Sequence, residues 1–189
     1  MSKDKLTLVT KNEHKIEELT PIFEEFGVPF ETSGLEKYEV RASSVGMVAM
    51  EAAKHAYKVL KRPVVVDDTG LYIESLSDFP GPYAAYVLET IGMEGVLRLM
   101  EGEEDRDARF DTGVGYADGW VFRYFVGTMY GNIARAPGGK GGFGYDPIFI
   151  PDGESRTYAE LPLDEKVKIS HRSEAFRKFL EWYVENRQK

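Results

Sequence analysis

Two adjacent carboxylates follow an apolar run near the middle of the chain, in the segment Asp67-Asp68-Thr69-Gly70. Residues 64–66 before them are three valines, which predicts a buried strand that ends at the carboxylates. Ligands of α/β sheets bind where strands end, and paired carboxylates are hard oxygen ligands that suit Mg²⁺. One of the two is also suited to orient a water molecule as a general base. A polar turn that closes the strand is the alternative interpretation.

A second candidate site lies where the first predicted strand, over residues 5–10, meets a predicted helix. Asn12 is suited to cap that helix, whose N-terminus presents unpaired N–H groups. Thr10 adds hydrogen-bonding groups, and Lys11 and Lys15 add positive charge, so the junction predicts an anion site. An ordinary helix cap with solvent-facing lysines is the alternative interpretation.

Glycines fill much of the segment 138–147, which also contains Phe143, Tyr145 and Asp146. Glycine permits close backbone approach and positive φ, and the two rings offer faces for stacking. The segment is not a Walker A loop, because Lys140 is followed by glycine rather than by serine or threonine. The aromatic residues favour a ligand-binding loop over a mobile surface loop.

Near the C-terminus, Lys166 and the triplet Ser170-His171-Arg172 form a cationic cluster. The planar donor fork of an arginine suits a nucleobase or a phosphate, although a charged, solvent-exposed helix start has the same composition. Together the four clusters supply phosphate donors, paired carboxylates, stacking rings and a second group of cations. This combination is typical of a metal-dependent enzyme that acts on a nucleoside polyphosphate.

The surrounding residues predict a single α/β domain over residues 1–189. The chain opens with a strand, a helix over 12–26 and a second strand, as α/β folds do. The spacing of apolar residues predicts further helices over 44–61, 83–100 and 171–187, the second of them interrupted near a glycine.

The third quarter of the chain is rich in strand-forming residues. Runs at 109–117 and 120–127 flank a two-residue Asp-Gly turn, which is a strong hairpin signal, and 128–136 predicts one more strand. We therefore expect a mixed sheet flanked by helices, with a smaller β-rich lobe around 105–136.

Composition narrows the possible functions. The net charge of −8, from 24 basic and 32 acidic residues, argues against a surface for duplex nucleic acid but not against small anions. The chain has no cysteine, which excludes disulfides and thiolate zinc sites. The longest run without a charged residue, 124–134, is far shorter than the roughly 20 residues of a membrane span. Since residues 1–5 contain no apolar run of the kind that signals export, we expect a cytoplasmic protein without a membrane partner.

Five motifs occur in the order of a known family. They are Thr10-x-Asn12-x-x-Lys15, Asp67-Asp68-Thr69-Gly70-Leu71, Pro80-Gly81-Pro82-Tyr83, Gly142-Phe143-Gly144-Tyr145-Asp146-Pro147, and Glu165-Lys166 with Ser170-His171-Arg172. On these motifs the chain resembles, from about residue 6 to 180, the inosine/xanthosine triphosphate pyrophosphatases. Enzymes of that family hydrolyse ITP, dITP and XTP to the nucleoside monophosphate and pyrophosphate. The resemblance implies an elongated α/β fold with a cleft between two lobes, dependence on Mg²⁺, and a homodimer.

The resemblance also implies roles for individual residues. Asp68 matches the catalytic acidic residue, a metal ligand and general base, and Glu39 falls where a second metal-binding carboxylate is expected. Phe143 is expected to stack on the base. Thr10, Asn12 and Lys15 are expected to hold the triphosphate, and Lys166, His171 and Arg172 to read the purine. The full substrate-binding set is Thr10, Lys11, Asn12, Lys15, Thr69, Phe143, Gly144, Tyr145, Asp146, Lys166, His171 and Arg172.

The chain departs from the family pattern at two basic positions. Ala84-Ala85 stand where many relatives carry a basic residue, and Ala52 stands where many carry a lysine. Three other functions remain open on the residues alone. They are a phosphoenzyme in which the first aspartate is the nucleophile, a nucleotide sensor without turnover, and a related pyrophosphatase for modified pyrimidine triphosphates.

Overall fold

A computed structural model of the chain describes residues 5–36, 38, 40 and 42–187. The described strands are β1 (Leu6–Val9), β2 (Phe30–Ser33), β3 (Val64–Ile73), β4 (Phe79–Gly81), β5 (Asp107–Ala117), β6 (Phe122–Ile133) and β7 (Phe149–Pro151). The described helices are α1 (Glu13–Glu25), α2 (Val45–Leu60), α3 (Ala84–Leu99), α4 (Leu163–Ile169) and α5 (His171–Arg187). Within these ranges, no helix is both long enough and apolar enough to cross a membrane.

The strands form one mixed sheet in the order β2-β1-β3-β5-β6-β7, with β4 paired to β3 off this path. β1 runs parallel to both neighbours, with Leu6 opposite Phe30 on β2 and Thr7 opposite Val64 on β3. β4 is antiparallel to β3, and β7 is antiparallel to β6. The predicted α/β class with a mixed sheet is therefore confirmed.

The backbone separates into two compact units. The first unit contains the described residues up to Asp68, together with 112–127 and the chain from Arg172 onward. The second unit contains 69–111 and 128–171. β3, β5 and β6 each contribute residues to both units. Two expectations remain predictions. One is a single domain with a β-rich lobe around 105–136, and the other is a cleft between lobes.

In the first unit, helices pack on the sheet through faces that the sequence pattern predicts. α1 buries Leu19, Ile22 and Phe23, and the Phe23 ring centroid lies 4.4 Å from that of Phe30 on β2. α2 buries a row of small residues, Val48, Ala49, Ala52, Ala53 and Ala56. Because these side chains are short, α2 approaches the sheet closely.

The C-terminal helix α5 completes the core of the first unit. Its Ala175, Phe176, Phe179 and Leu180 are fully buried, and the Phe176 ring lies 5.8 Å from that of Phe23 on α1. The predicted helix over 171–187 is confirmed, and its first residues are members of the predicted site.

The second unit has its own apolar core around Leu71, Ile73, Phe110, Phe149 and Tyr158. α3 covers part of this core with Val87 and Val96. As predicted, α3 is interrupted at a glycine, Gly92, which adopts a φ of 68° inside the helix.

Three features differ from the sequence-based expectations. Residues 128–133 are not a separate strand but the second half of β6, because Gly127 continues the extended backbone instead of turning it. The Pro80-Gly81 segment belongs to strand β4, since β3 runs on to Ile73 and pairs with it. The short elements α4 and β7 were not predicted, because three to seven residues are too few to show a period.

Candidate active site

The junction between β1 and α1 is ordered by a series of hydrogen bonds between neighbouring residues and to β2. The backbone N–H of Thr10 donates to the Ser33 carbonyl (3.1 Å), and the N–H of Asn12 donates to Thr10 Oγ1 (3.1 Å). Asn12 caps α1 as predicted, its Oδ1 accepting from the Lys15 N–H at 3.3 Å. Lys11, at the same junction, is exposed. The junction therefore presents a helix N-terminus and an exposed cation, the features of an anion site.

Asp67 joins this junction to the sheet. Its Oδ2 accepts from Lys15 Nζ at 2.8 Å and from Arg172 Nε at 3.3 Å, and its side chain is 1% exposed. Arg172 also donates from Nη1 to Glu18 Oε2 at 2.6 Å. Lys15, Glu18, Asp67 and Arg172 thus form one buried charge cluster with two positive and two negative groups.

Glu18 was not predicted as a functional residue, although the sequence contained a signal for it. It follows Lys15 by three residues and shares the α1 face of the core residues Leu19 and Ile22. A glutamate on an apolar helix face is rarely buried without a partner. Its partner, Arg172, lies 154 residues further along the chain, too far for spacing to reveal.

Asp68 lies within β3, and not at the end of a strand as predicted. The parallel pairing with β1 involves Val64 and Val65, and the antiparallel pairing with β4 begins at Leu71. Asp67 and Asp68 therefore lie between the segment of β3 that pairs with β1 and the segment that pairs with β4, and the strand continues through both residues. Successive side chains of a strand point to opposite faces, so Asp68 does not share the direction of Asp67. Asp68 is 8% exposed.

No group of three acidic or histidine side chains in the described ranges could hold a metal ion. The predicted ligand Glu39 lies outside the described residues. Mg²⁺ in nucleotide enzymes is commonly held by one or two carboxylates together with substrate phosphates and waters. A hard carboxylate at Asp68 suits that mode of binding, so the donor chemistry fits magnesium.

In the second unit, the glycine-rich loop closes around Asp146. The Asp146 Oδ2 accepts from the Phe143 N–H at 2.8 Å and from Lys166 Nζ at 2.6 Å. A Cβ on Gly142, whose φ is +67°, would lie 2.1 Å from that same oxygen. Glycine is therefore required at 142 both for its backbone conformation and for space.

Two aromatic rings lie close to the Lys166 ammonium. Its Nζ lies 5.0 Å from the ring centroid of Phe143 and 5.4 Å from that of Tyr158. His171 is buried and stacks on Phe110, with centroids 4.6 Å apart. Tyr158 was not predicted as a site residue, because nothing in its spacing distinguishes it from a core aromatic.

Tyr145 ties the glycine-rich loop to the start of α3. Its hydroxyl donates to the Ala84 carbonyl at 2.9 Å, and burial raises the pKa of Tyr145 well above its usual value. Ala84 directly follows the Pro-Gly-Pro-Tyr motif. The bond therefore links the glycine-rich loop to the segment that follows this motif.

The predicted site residues fall into two groups, which the two units position separately. Thr10, Lys11, Asn12, Lys15, Asp68 and Arg172 belong to the first unit. Thr69, Phe143, Gly144, Tyr145, Asp146, Lys166 and His171 belong to the second unit. Thr69 is half-buried in β3 and Gly144 has a φ of +66°.

Comparison with known proteins identifies the family of the chain. The model of the Ham1 family matches residues 6–182, which is nearly the whole chain. The chain belongs to the Ham1 family. A protein named dITP/XTP pyrophosphatase from Methanopyrus kandleri is 46% identical over 183 residues, covering 96% of this chain and 97% of the relative. One of the same name from Pyrobaculum aerophilum is 47% identical over 178 residues, covering 94% of this chain and 95% of the relative.

A solved Ham1 protein from Coxiella burnetii has the same fold. It superposes with a TM-score of 0.84 at 29% identity, over 96% of this chain and 98% of that one. The resemblance that the five motifs indicate is therefore confirmed for the chain as a whole.

Proposed function

We propose that this Ham1 protein hydrolyses the non-standard purine nucleoside triphosphates ITP, dITP and XTP to the monophosphate and pyrophosphate. The observation that carries the proposal is the near full-length match to proteins named dITP/XTP pyrophosphatases. The ordered β1–α1 junction, the buried carboxylates of β3 and the aromatic glycine-rich loop supply matching chemistry.

In the first unit, the β1–α1 junction holds the triphosphate. The N-terminal N–H groups of α1 and the exposed Lys11 attract the phosphate oxygens. Lys15 is held on Asp67, which fixes its position beside the junction. Positive groups fixed in advance stabilise the charge that grows on the leaving pyrophosphate.

Asp68 orients and deprotonates the water that attacks the α-phosphorus. Asp68 is 8% exposed, so solvent still reaches it and a water can bind within hydrogen-bond distance of its carboxylate. Asp68, with Glu39 as a second carboxylate, would hold Mg²⁺. When bound, Mg²⁺ neutralises negative charge on the phosphates.

In the second unit, Phe143 stacks on the purine, and Lys166 and His171 lie on the elements beside it. The role of Arg172 as a donor for a 6-oxo group, which inosine and xanthosine carry and adenosine lacks, stays a prediction from the sequence, because its Nε and Nη1 already bond Asp67 and Glu18. A donor of the protein that faces the 6-amino group of adenosine finds no acceptor there. A buried donor without an acceptor costs about 1–3 kcal/mol of binding free energy. Guanosine also carries a 6-oxo group, so its exclusion from the base site depends on a different contact, with its 2-amino group.

A product assay tests this function. Purified protein with Mg²⁺ is offered ITP, XTP, GTP and ATP in turn, and pyrophosphate and orthophosphate are counted separately. We expect pyrophosphate from ITP and XTP, with far less from GTP and ATP. Orthophosphate as the product would overturn the proposal in favour of a phosphoenzyme, and binding without any product would favour a nucleotide sensor.

We further propose that the protein works as a cytoplasmic homodimer. Nucleoside triphosphates are made and consumed in the cytoplasm, which supports the location. Large aromatic side chains such as Trp120 (93% exposed) and Tyr86 (67% exposed) supply apolar surface of the kind that an interface covers.

A further inference from the structure

The glycine-rich loop contains a closed ring of bonds between Phe143 and Asp146. The Phe143 N–H donates to the Asp146 carboxylate at 2.8 Å, and the Asp146 N–H donates back to the Phe143 carbonyl at 3.2 Å. Gly142 and Gly144, on either side of Phe143, have φ values of +67° and +66°. The backbone at Phe143 is therefore fixed from both ends.

The same carboxylate fixes a cation beneath the ring. Lys166 Nζ lies 2.6 Å from Asp146 Oδ2 and 5.0 Å from the Phe143 ring centroid, and its side chain is 4% exposed. The Asp146 side chain is 6% exposed. When one partner of a buried ion pair is removed, the other charge is left uncompensated in the interior, which is unfavourable. The buried position of Lys166 therefore depends on Asp146.

We propose that Asp146 is a positioning residue, which holds the Phe143 ring and the Lys166 ammonium in place for the purine. This inference rests on the proposed function, in which Phe143 stacks on the base. Asp146 acts through Phe143 and Lys166, since its Oδ2 accepts from the backbone N–H of one and from the ammonium of the other. It therefore supports affinity for the base and not affinity for the phosphates.

Two inhibitors separate these contributions. Inosine monophosphate carries the base, and tripolyphosphate carries phosphates without a base. In Asp146→Ala we expect the inhibition constant of inosine monophosphate to rise about tenfold, the loss of roughly one stacked base. The inhibition constant of tripolyphosphate should change less than about twofold, within the spread of surface substitutions.

Asp146→Asn gives the conservative comparison. The carboxamide oxygen still accepts from the Phe143 N–H, but the uncharged side chain no longer neutralises Lys166. The inhibition constant of inosine monophosphate for Asp146→Asn should therefore fall between the constants for the wild type and for Asp146→Ala. The matched controls are Asp152→Ala and Asp152→Asn, at an exposed aspartate of the same unit. An unchanged constant for inosine monophosphate in Asp146→Ala, or an equal rise for both inhibitors, would overturn the proposal.

Amide hydrogen exchange tests the loop without any need for turnover. We expect the Phe143 amide to exchange slowly in the wild type and in both Asp152 variants, and at least about ten times faster in Asp146→Ala, because its acceptor is gone. If the wild type fails to hydrolyse ITP, the proposed function fails while this measurement still reports on the loop. If Phe143 exchanges equally fast in all variants, Asp146 does not position it.

Discussion

Asp67 precedes Asp68 in β3 and is bound by two cations of the protein. Asp67 is held by Lys15 and Arg172, so its charge is already compensated by the protein. A carboxylate engaged in this way is a poor nucleophile, which argues against the phosphoenzyme alternative. The sequence indicated the pair as chemically important, and the contacts of Asp67 assign that residue to the buried charge cluster.

Asp68→Asn tests the general base. The amide keeps the size of the side chain but neither takes a proton nor carries charge, so turnover of ITP should fall by about a thousandfold or more. The thermal midpoint should change little. Steady-state kinetics and a thermal melt measure the two effects, and Asp164→Asn, at an exposed aspartate, is the control. Near-normal turnover in Asp68→Asn would remove Asp68 from the mechanism.

Glu18→Gln tests the buried charge cluster. It leaves Arg172 with one carboxylate fewer in a site where its side chain is 3% exposed, so the free energy of unfolding should fall by about 2 kcal/mol or more. Urea denaturation measures the loss.

Glu17→Gln is the matched control for this change, since Glu17 is the adjacent residue on α1 and its side chain is 66% exposed. It should cost less than about 0.5 kcal/mol. Equal losses in the two variants would show that the cluster contributes nothing specific to stability.

At the scale of elements, periodicity and capping predict the long helices well. Asn12 caps α1, the alanine face of α2 is buried, and the interruption of α3 falls at Gly92. A strand that pairs with one neighbour along its first half and with another along its second half has no corresponding pattern in the sequence. The length of β3 and its pairing with β4 therefore could not be predicted. The residues of the β1–α1 junction lie where the sequence predicts them, but Asp68 lies inside β3 and Lys166 lies on α4, which was not predicted. Glu18 and Tyr158 depend on contacts that the sequence does not encode locally.

Tyr145→Phe tests the link between the glycine-rich loop and α3. Burial raises the pKa of Tyr145 above the value of about 10 that a tyrosine has in an unfolded chain, so the folded protein keeps the phenol proton at a pH where the unfolded chain loses it. This contribution is therefore complete below about pH 10 and is lost as the pH rises further, by up to about 1.4 kcal/mol per pH unit.

Denaturant melts between about pH 9 and pH 11 measure this slope. The wild type should lose stability more steeply than Tyr145→Phe, while Tyr130→Phe, at a tyrosine that is 59% exposed, should follow the wild type. At neutral pH, Tyr145→Phe should already cost about 1 kcal/mol for the lost bond to the Ala84 carbonyl. Identical slopes in all three proteins would contradict a buried, protonated phenol.

At the scale of the whole molecule, the homodimer is open to direct measurement. One chain has a mass of 21.4 kDa, so light scattering after size-exclusion chromatography should give about twice that value. A mass that stays near that of one chain at every concentration tested would contradict the proposal.

The buried charge cluster has a consequence for how the protein is made. Arg172 is synthesised 154 residues after Glu18 and 105 residues after Asp67. Until α5 has left the ribosome, two carboxylates destined for the interior lack their guanidinium, and burying them is unfavourable. The first unit therefore completes its folding only after α5 has been synthesised. A chain cut short before α5 stays open, and proteases can recognise it as incomplete.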